Sequence, residues 1–193
     1  THFILPLINN YTINFIRCKI VNMIITAGKY KGQKINTPDE SITRPTLSKV
    51  RMSVFNTLQS IIDFEGKSFL DMYAGSGIMG LEAISRGFEK AVSIEKNLKA
   101  ASIIKNNFKK FAHSPKLYIG DSLRIAPKLE SKFDVIYVDP PYFSGIYENS
   151  LDAIKEITSN IVIMEHVNEV DFGSFNLIKQ KKYGDKYITF LAI

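Results

Sequence analysis

The apolar positions of this chain change rhythm several times, and each change marks an element boundary. From residue 68 onward, short apolar runs alternate with stretches of helical spacing. The pattern predicts a strand over 68–72, a helix from about Ile78 to Arg86 stopped by Gly87, a strand over 91–95 and a helix over 98–111. A strand over 116–119, a short helix interrupted by Pro127 and a strand over 133–138 follow. Such alternation with continuously apolar strands predicts an α/β fold: a parallel sheet, right-handed crossovers and helices on both faces.

The flanking segments read differently. Residues 161–165, 175–180 and 187–192 read as strands. The last two are joined through Tyr183-Gly184-Asp185, a connection too short for anything but a hairpin, so the final strand is expected to run antiparallel. Upstream, apolar runs at 23–26 and 34–35 flank the basic Gly28-Lys29-Tyr30-Lys31-Gly32, which reads as a hairpin with a positively charged tip. After Arg44-Pro45-Thr46, the residues Val50, Val54, Phe55, Leu58, Ile61 and Ile62 recur at helical spacing, with Thr46 or Ser48 placed to cap the helix. Arg44, Lys49 and Arg51 lie at or near its start. A cation in a first helical turn opposes the helix dipole at a cost of roughly a few tenths of a kcal/mol, which fits either an anion nearby, a phosphate or a carboxylate, or plainly solvated surface cations.

With 193 residues and 45% hydrophobic content, the chain suits one full α/β core. The expected organisation is an upstream extension over 1–22, a hairpin appendage over 23–43 and one catalytic domain over 44–193. The extension is inferred because the chain opens with Thr and the first methionine is Met23; the apolar run from Phe3 to Ile8, broken by Pro6, reads as neither a signal peptide nor a membrane span. Lysine and arginine number 25 against 19 acids, a formal charge of +6, which favours a polyanionic partner. A single cysteine, Cys18, excludes an internal disulfide, and the scattered His2, His113 and His166 offer no metal-ligand spacing, so no metal is expected.

Candidate chemistry sits at two strand ends. The first is the run from Asp71 through Met72, Tyr73, Ala74, Gly75, Ser76 and Gly77 to Gly80, a glycine turn leading from a strand into a helix. Glycines let a ligand approach the backbone, and the helix N-terminus offers free N–H groups. Gly75 to Gly80 also fits the dinucleotide fingerprint, with Glu95 at the distance of a ribose-binding acid, so two cofactor classes remain open. Charge separates them: Asp71 would repel a pyrophosphate, whereas S-adenosyl-L-methionine carries a sulfonium and an ammonium. Asp121-Ser122, after the third strand, can accept from an adenine amino group or cap a helix. The second strand end is Asp139-Pro140-Pro141-Tyr142. Paired prolines lack N–H donors, so this corner presents acceptors only, namely carbonyls and the Asp139 carboxylate. Two acceptors gripping the hydrogens of an exocyclic amine would orient its nitrogen for methyl transfer, and Tyr142 offers a stacking face.

These residues resemble the bacterial RsmD-type methyltransferases, which methylate N2 of a guanine in small-subunit (16S) ribosomal RNA. The resemblance rests on residues 23–35, Arg44-Pro45-Thr46 through Arg51 to Phe55-Asn56, 70–86 and 133–142. The basic hairpin followed by Arg-Pro-Thr and a helix distinguishes this family from the DNA adenine-N6 and cytosine-N4 methyltransferases, which share the loop and the tetrad but ordinarily need a separate sequence-reading domain. The resemblance implies a Rossmann-like class I S-adenosylmethionine-dependent methyltransferase: a seven-stranded, mostly parallel sheet with an antiparallel last strand, acting as a cytoplasmic monomer. It implies cofactor contacts at Asp71, Tyr73, Ala74, Gly75, Ser76, Gly77, Glu95, Lys96, Asp121 and Ser122, and a target base against Asp139, Pro140, Pro141 and Tyr142. It turns Lys29, Lys31, Lys34, Arg44 and Arg51 toward RNA. The family usually has Gly-Gly where Ala27-Gly28 stands, arginines at Lys31 and Lys34, and an acid at Met52. Lysine keeps the charge but loses bidentate phosphate geometry, so these departures bear on RNA affinity.

Two other classes stay in view. A nicotinamide oxidoreductase would use the glycine loop but leave the proline corner unexplained, and a non-catalytic RNA-binding module would explain the charge alone. For the extension, deletion of residues 1–22 is expected to leave folding and activity intact; loss of the cooperative melting transition on deletion would refute that boundary.

Overall fold

The computed structural model describes residues 22–38, 48–114, 116–141 and 145–193. The expected upstream extension, apart from Asn22, and the Arg44-Pro45-Thr46 segment lie outside them. An antiparallel pair, β1 (Asn22–Ile24) and β2 (Lys34–Asn36), opens the fold. The helix α1 (Ser48–Gln59) follows, and then β3 (Ser68–Asp71), α2 (Ile78–Ser85), β4 (Lys90–Glu95), α3 (Leu98–Lys109), β5 (Lys116–Ile119), α4 (Ser122–Ile125) and β6 (Phe133–Val138). The chain closes with α5 (Ile146–Ile154), β7 (Thr158–His166), β8 (Asn176–Tyr183) and β9 (Lys186–Ala192).

The main sheet has seven strands in the order β5-β4-β3-β6-β7-β9-β8. Its first five strands are parallel, and β9 inserts antiparallel between β7 and β8, as the tight turn at Gly184 requires. The strand order reverses between β3 and β6, so the carboxyl ends of these two strands and of β4 bound the crevice where open α/β sheets bind ligands. Alternating side chains divide the core. Phe69, Val135, Tyr137, Ile163 and Phe190 face α1, α2 and α3. Leu70, Ile94, Ile136, Val138 and Met164 meet Ile146, Leu151 and Ile154 of α5 on the other side. Within the first layer, Phe55 stacks on Phe69 at 5.9 Å and Phe64 on Phe88 at 4.7 Å, and each fully buried phenylalanine is worth about 1.5–3 kcal/mol.

Element boundaries fall within two residues of the sequence expectation for the central α/β units. The helix α5 is the exception, because the reading of alternation passed over residues 143–160. Its buried Ile146, Tyr147, Ser150, Leu151 and Ile154 do recur at helical spacing, but a serine in the stripe and the preceding Gly145 in the left-handed region dilute the signal.

The β1–β2 hairpin shares the core rather than standing away from it, with Ile25 and Ile35 fully buried. A cluster around Glu82 of α2 fastens it. The buried Glu82 carboxylate accepts from Thr26 N (2.8 Å) and Thr26 Oγ1 (2.9 Å), and pairs with Arg51 (3.4 Å) and Arg86 (3.3 Å). Arg51 also donates to the Ile24 carbonyl at 2.8 Å and to Ser48 Oγ at 3.1 Å. Arg51 is 1% exposed, which corrects the expectation that it faces RNA: the anion that its helix-start position called for is a carboxylate of its own chain. Gly28 completes the seat. Its φ is +80°, and a Cβ there would lie 1.8 Å from the Ser85 carbonyl oxygen, which accepts from Lys29 N at 2.7 Å.

Glu82→Ala is expected to strand two buried guanidinium groups. The cost is about 3–5 kcal/mol, or a melting temperature lower by roughly 10 °C, readable by calorimetry. A change within about 2 °C would mean that the hairpin and α1 are held by apolar packing alone.

Candidate active site

Register alone gathers the acidic residues. Asp71, the last residue of β3, pairs with Ser93 of β4 on one side and with Tyr137 of β6 on the other. Glu95 and Asp139 lie two residues beyond those partners, so the pleat turns all three carboxylates to the same face at the carboxyl edge of the sheet. Asp71 is 1% exposed, and its Oδ2 has no hydrogen-bond partner among the described residues. Its other interactions are with the backbone N–H groups of Gly80 and Tyr73. Burial, and then the nearby Glu95 and Asp139, raise its pKa from the usual 3.8 to about 8, which those two amides only partly offset.

The glycine turn wraps the second carboxylate. Gly75 N donates to Glu95 Oε2 and Asn97 N to Glu95 Oε1, both at 2.7 Å, and each oxygen retains a lone pair for a ligand hydroxyl. Gly75 and Gly77 adopt φ of 54° and 77°, which lets the turn fold over the strand end before α2 begins. Asn107, buried on α3, holds this turn from behind. Its side-chain amide donates to the Ser76 carbonyl (3.1 Å) and the Asn36 carbonyl (2.8 Å), and its oxygen accepts from Asn36 N (3.0 Å). Sequence reasoning missed Asn107, although a polar residue between Ile104 and Phe108 in an apolar helical stripe is a readable signal.

The remaining expected cofactor residues divide by what their side chains touch. Ala74 is buried, and its N–H reaches the Ile94 carbonyl. The Ser76 hydroxyl is buried against Met23 Sδ at 3.8 Å. The Tyr73 hydroxyl meets Ser150 Oγ of α5 at 2.8 Å, and burial pushes its pKa up to about 12. The Ser122 hydroxyl donates to the Met72 carbonyl at 2.5 Å, so it fastens the end of β3. Asp121 caps α4 through Leu123 N at 3.0 Å while its carboxylate stays partly open, and Lys96 pairs with it at 3.6 Å from solvent.

At the proline corner, Pro140 is buried and Pro141 exposed, while Tyr142 lies outside the described residues. Asp139 is met by Lys186 of β9 at 3.8 Å, and the same ammonium reaches the fully buried Glu165 at 2.7 Å. Tyr137 Oη donates to the other oxygen of Glu165. This Tyr137–Glu165–Lys186–Asp139 chain was invisible in the sequence, since it joins three strands through sheet order alone. The hairpin lysines Lys29, Lys31 and Lys34 are all exposed, and Arg44 lies outside the described residues.

A buried carboxyl group with one unpartnered oxygen, flanked by two more carboxylates, suits a cation and repels a pyrophosphate. Together with the sheet order, this places the chain among the Rossmann-like class I S-adenosylmethionine-dependent methyltransferases. The chain belongs to the family described as Conserved hypothetical protein 95, whose model matches residues 23–192. It is 32% identical over 175 residues to YlbH of Bacillus subtilis (strain 168), covering 84% of this chain and 94% of that one. It is 30% identical over 133 residues to Ribosomal RNA small subunit methyltransferase D of Escherichia coli (strain K12), covering 68% of this chain and 66% of that one. Among solved structures, yhhF of Escherichia coli superposes with a TM-score of 0.80 at 23% identity, over 89% of this chain and 98% of that one.

Because the Asp71 pKa is higher folded than unfolded, the folded state holds this proton more tightly. This group's effect on stability is therefore most favourable below about pH 4 and worsens as pH rises toward about 8. Asp71→Asn removes that dependence. In ligand-free protein, its melting temperature should gain on the parent by roughly 4 °C or more between pH 5 and pH 9, while cofactor binding weakens. A gap that is flat with pH would show a carboxylate of ordinary acidity.

Proposed function

We propose that this enzyme transfers a methyl group from S-adenosyl-L-methionine to the exocyclic N2 amino group of a guanine in 16S ribosomal RNA. The observation that carries the reading is the convergence of the Asp71, Glu95 and Asp139 carboxylates beside an acceptor-only corner. RNA as the substrate class is supported by the chain's charge of +6, by the exposed Lys29, Lys31 and Lys34, and by the relatives named as ribosomal RNA small subunit methyltransferases.

S-adenosyl-L-methionine, when bound, supplies a methyl group on a sulfonium, the electrophile of the reaction. Asp71, buried at the end of β3, would hold the cofactor's positive charge, and Glu95, preset by Gly75 N and Asn97 N, would accept from its ribose hydroxyls. Gly77 and the start of α2 set the backbone amides of the loop, and Asp121 would accept from the adenine amino group. An exocyclic guanine amine is conjugated and weakly nucleophilic. Asp139 and the Pro140 carbonyl accept hydrogen bonds from its two N–H groups, which fixes the nitrogen and stabilises the positive charge that develops as it is methylated, and one N–H proton is then released to solvent. Lys186, anchored on Glu165, fixes the Asp139 carboxylate. Pro141 and Tyr142 complete the base site, Tyr142 by stacking. The chain acts as a monomer in the cytoplasm.

A nicotinamide dinucleotide fits this crevice poorly, since its pyrophosphate would meet three carboxylates. A plain RNA-binding module would have no use for a buried acid with an unpartnered oxygen.

Asp139→Ala should lower the methyl-transfer rate by about 10²–10³ while calorimetry shows unchanged cofactor affinity. Mass spectrometry of 16S RNA from cells lacking the gene should show one N2-methylguanosine missing. Intact methylation in those cells, or full turnover by the variant, would overturn the proposal.

A further inference from the structure

Away from the cofactor crevice, a groove of about 610 Å³ runs between α1 and the edge strand β8. That volume lies in the range of about 300–1,000 Å³ found for ligand clefts, so it accommodates a group larger than a single ion. Lys49 and Asn56 of α1 and Lys179 and Lys181 of β8 line it, together with the hydroxyls of Ser53 and Thr57, and among the described residues no acidic side chain does. Lys181 is half-buried, and its ammonium donates to Thr57 Oγ1 at 2.6 Å and to Ser53 Oγ at 3.4 Å, both neutral oxygens. Among the described residues, none of the three lysines has a carboxylate within ion-pair distance. A partly desolvated ammonium held only by hydroxyls carries uncompensated charge, and the ligand class that compensates it is an anion.

The groove is continuous with the catalytic edge. Tyr183, the last residue of β8, meets Ser53 of α1 through its hydroxyl and pairs across the hairpin with Lys186, the residue that touches Asp139. The sheet order places β7 and β9 between the Asp139 corner and β8, so at about 4.8 Å per strand a polyanion leaving that corner crosses two strands, about 14 Å, to enter the groove.

We propose that the groove between α1 and β8 is a phosphate-binding subsite that holds the RNA backbone flanking the target nucleotide. This rests on the reading of RNA as the substrate and adds where its strand runs. Lysines on an edge strand also discourage edge-to-edge association, and that role predicts a different outcome.

The test is the salt dependence of binding to a single-stranded RNA oligonucleotide, followed by fluorescence anisotropy across a potassium chloride series. The variants are Lys49→Gln/Lys179→Gln and the same pair with Lys181→Gln, with S-adenosyl-L-methionine calorimetry as the control for an intact fold. The log–log salt slope is expected to fall by about 0.7 per lysine removed, about 1.4 for the double and about 2.1 for the triple variant, with cofactor affinity unchanged. If the parent binds RNA and the double variant keeps the parental slope, the groove is not the phosphate site. An unchanged slope accompanied by self-association of the variant assigns the lysines to guarding the strand edge. If the parent itself binds no RNA at any salt concentration, the substrate reading fails before the groove is tested.

Discussion

Three parallel strand ends that each carry a carboxylate, brought onto one face by register, constrain everything else in this molecule. Like charges so placed repel, and the unpartnered Oδ2 of Asp71 adds a desolvation cost. The fold offsets this only in part. Glu95 is held by two loop amides, Asp71 by the amides of Gly80 and Tyr73, and Asp139 by an ammonium from β9. What the backbone leaves unbalanced is a buried acid that keeps its proton up to about pH 8, and a cationic donor is the ligand that favours its ionised form. Binding and stability are thus set against each other at Asp71, in keeping with the strain that functional sites often store.

The supports of this site come from outside the alternating units. Asn107 joins the glycine turn to β2, and Glu82 joins α2 to the β1–β2 hairpin and to α1 through Arg51. The hairpin is therefore fastened to both ends of the element that follows the cofactor loop: Ser76 lies against Met23 just before α2, and Ser85 against Ala27 and Tyr30 at its end. Any displacement of the hairpin is mechanically coupled to the loop that wraps Glu95.

Local pattern made most of the fold legible. The strands over β3, β4, β5 and β6 are apolar runs ended by turn residues, and the tight Gly184 turn fixed the direction of β9. Asp71, Glu95 and Asp139 were readable because strand ends in a parallel sheet share one edge, so their sequence positions already implied their meeting. Arg51 was misread for a reason of range. Its need for an anion was visible, but the anion, Glu82, sits in another helix, and only tertiary packing decides between an internal carboxylate and an external phosphate. Lys186 and Glu165 escaped for a related reason: their meeting with Asp139 depends on β9 inserting beside β7, an order that no local spacing encodes.

The two sides of the sheet are unequal in a way that bears on how a large substrate approaches. The side lined by Leu70, Ile136 and Met164 is covered by α5 and the segment around Ala126. The other side carries the three carboxylates, and on it α1 and the hairpin dock through Val54, Phe55, Ile25 and Ile35. The exposed lysines of the hairpin tip and those of the α1–β8 groove are consequently held by elements of the same layer, on either side of α2. A polyanion drawn to these lysines meets the acidic crevice at its edge, where Lys186 stands beside Asp139. Repulsion from the carboxylates keeps phosphates out of the crevice itself, while a neutral base, swung away from its backbone, meets no such barrier. On the proposed reading, the charge pattern sorts the substrate into its parts, with the backbone on lysines and the base on the acceptors of the proline corner.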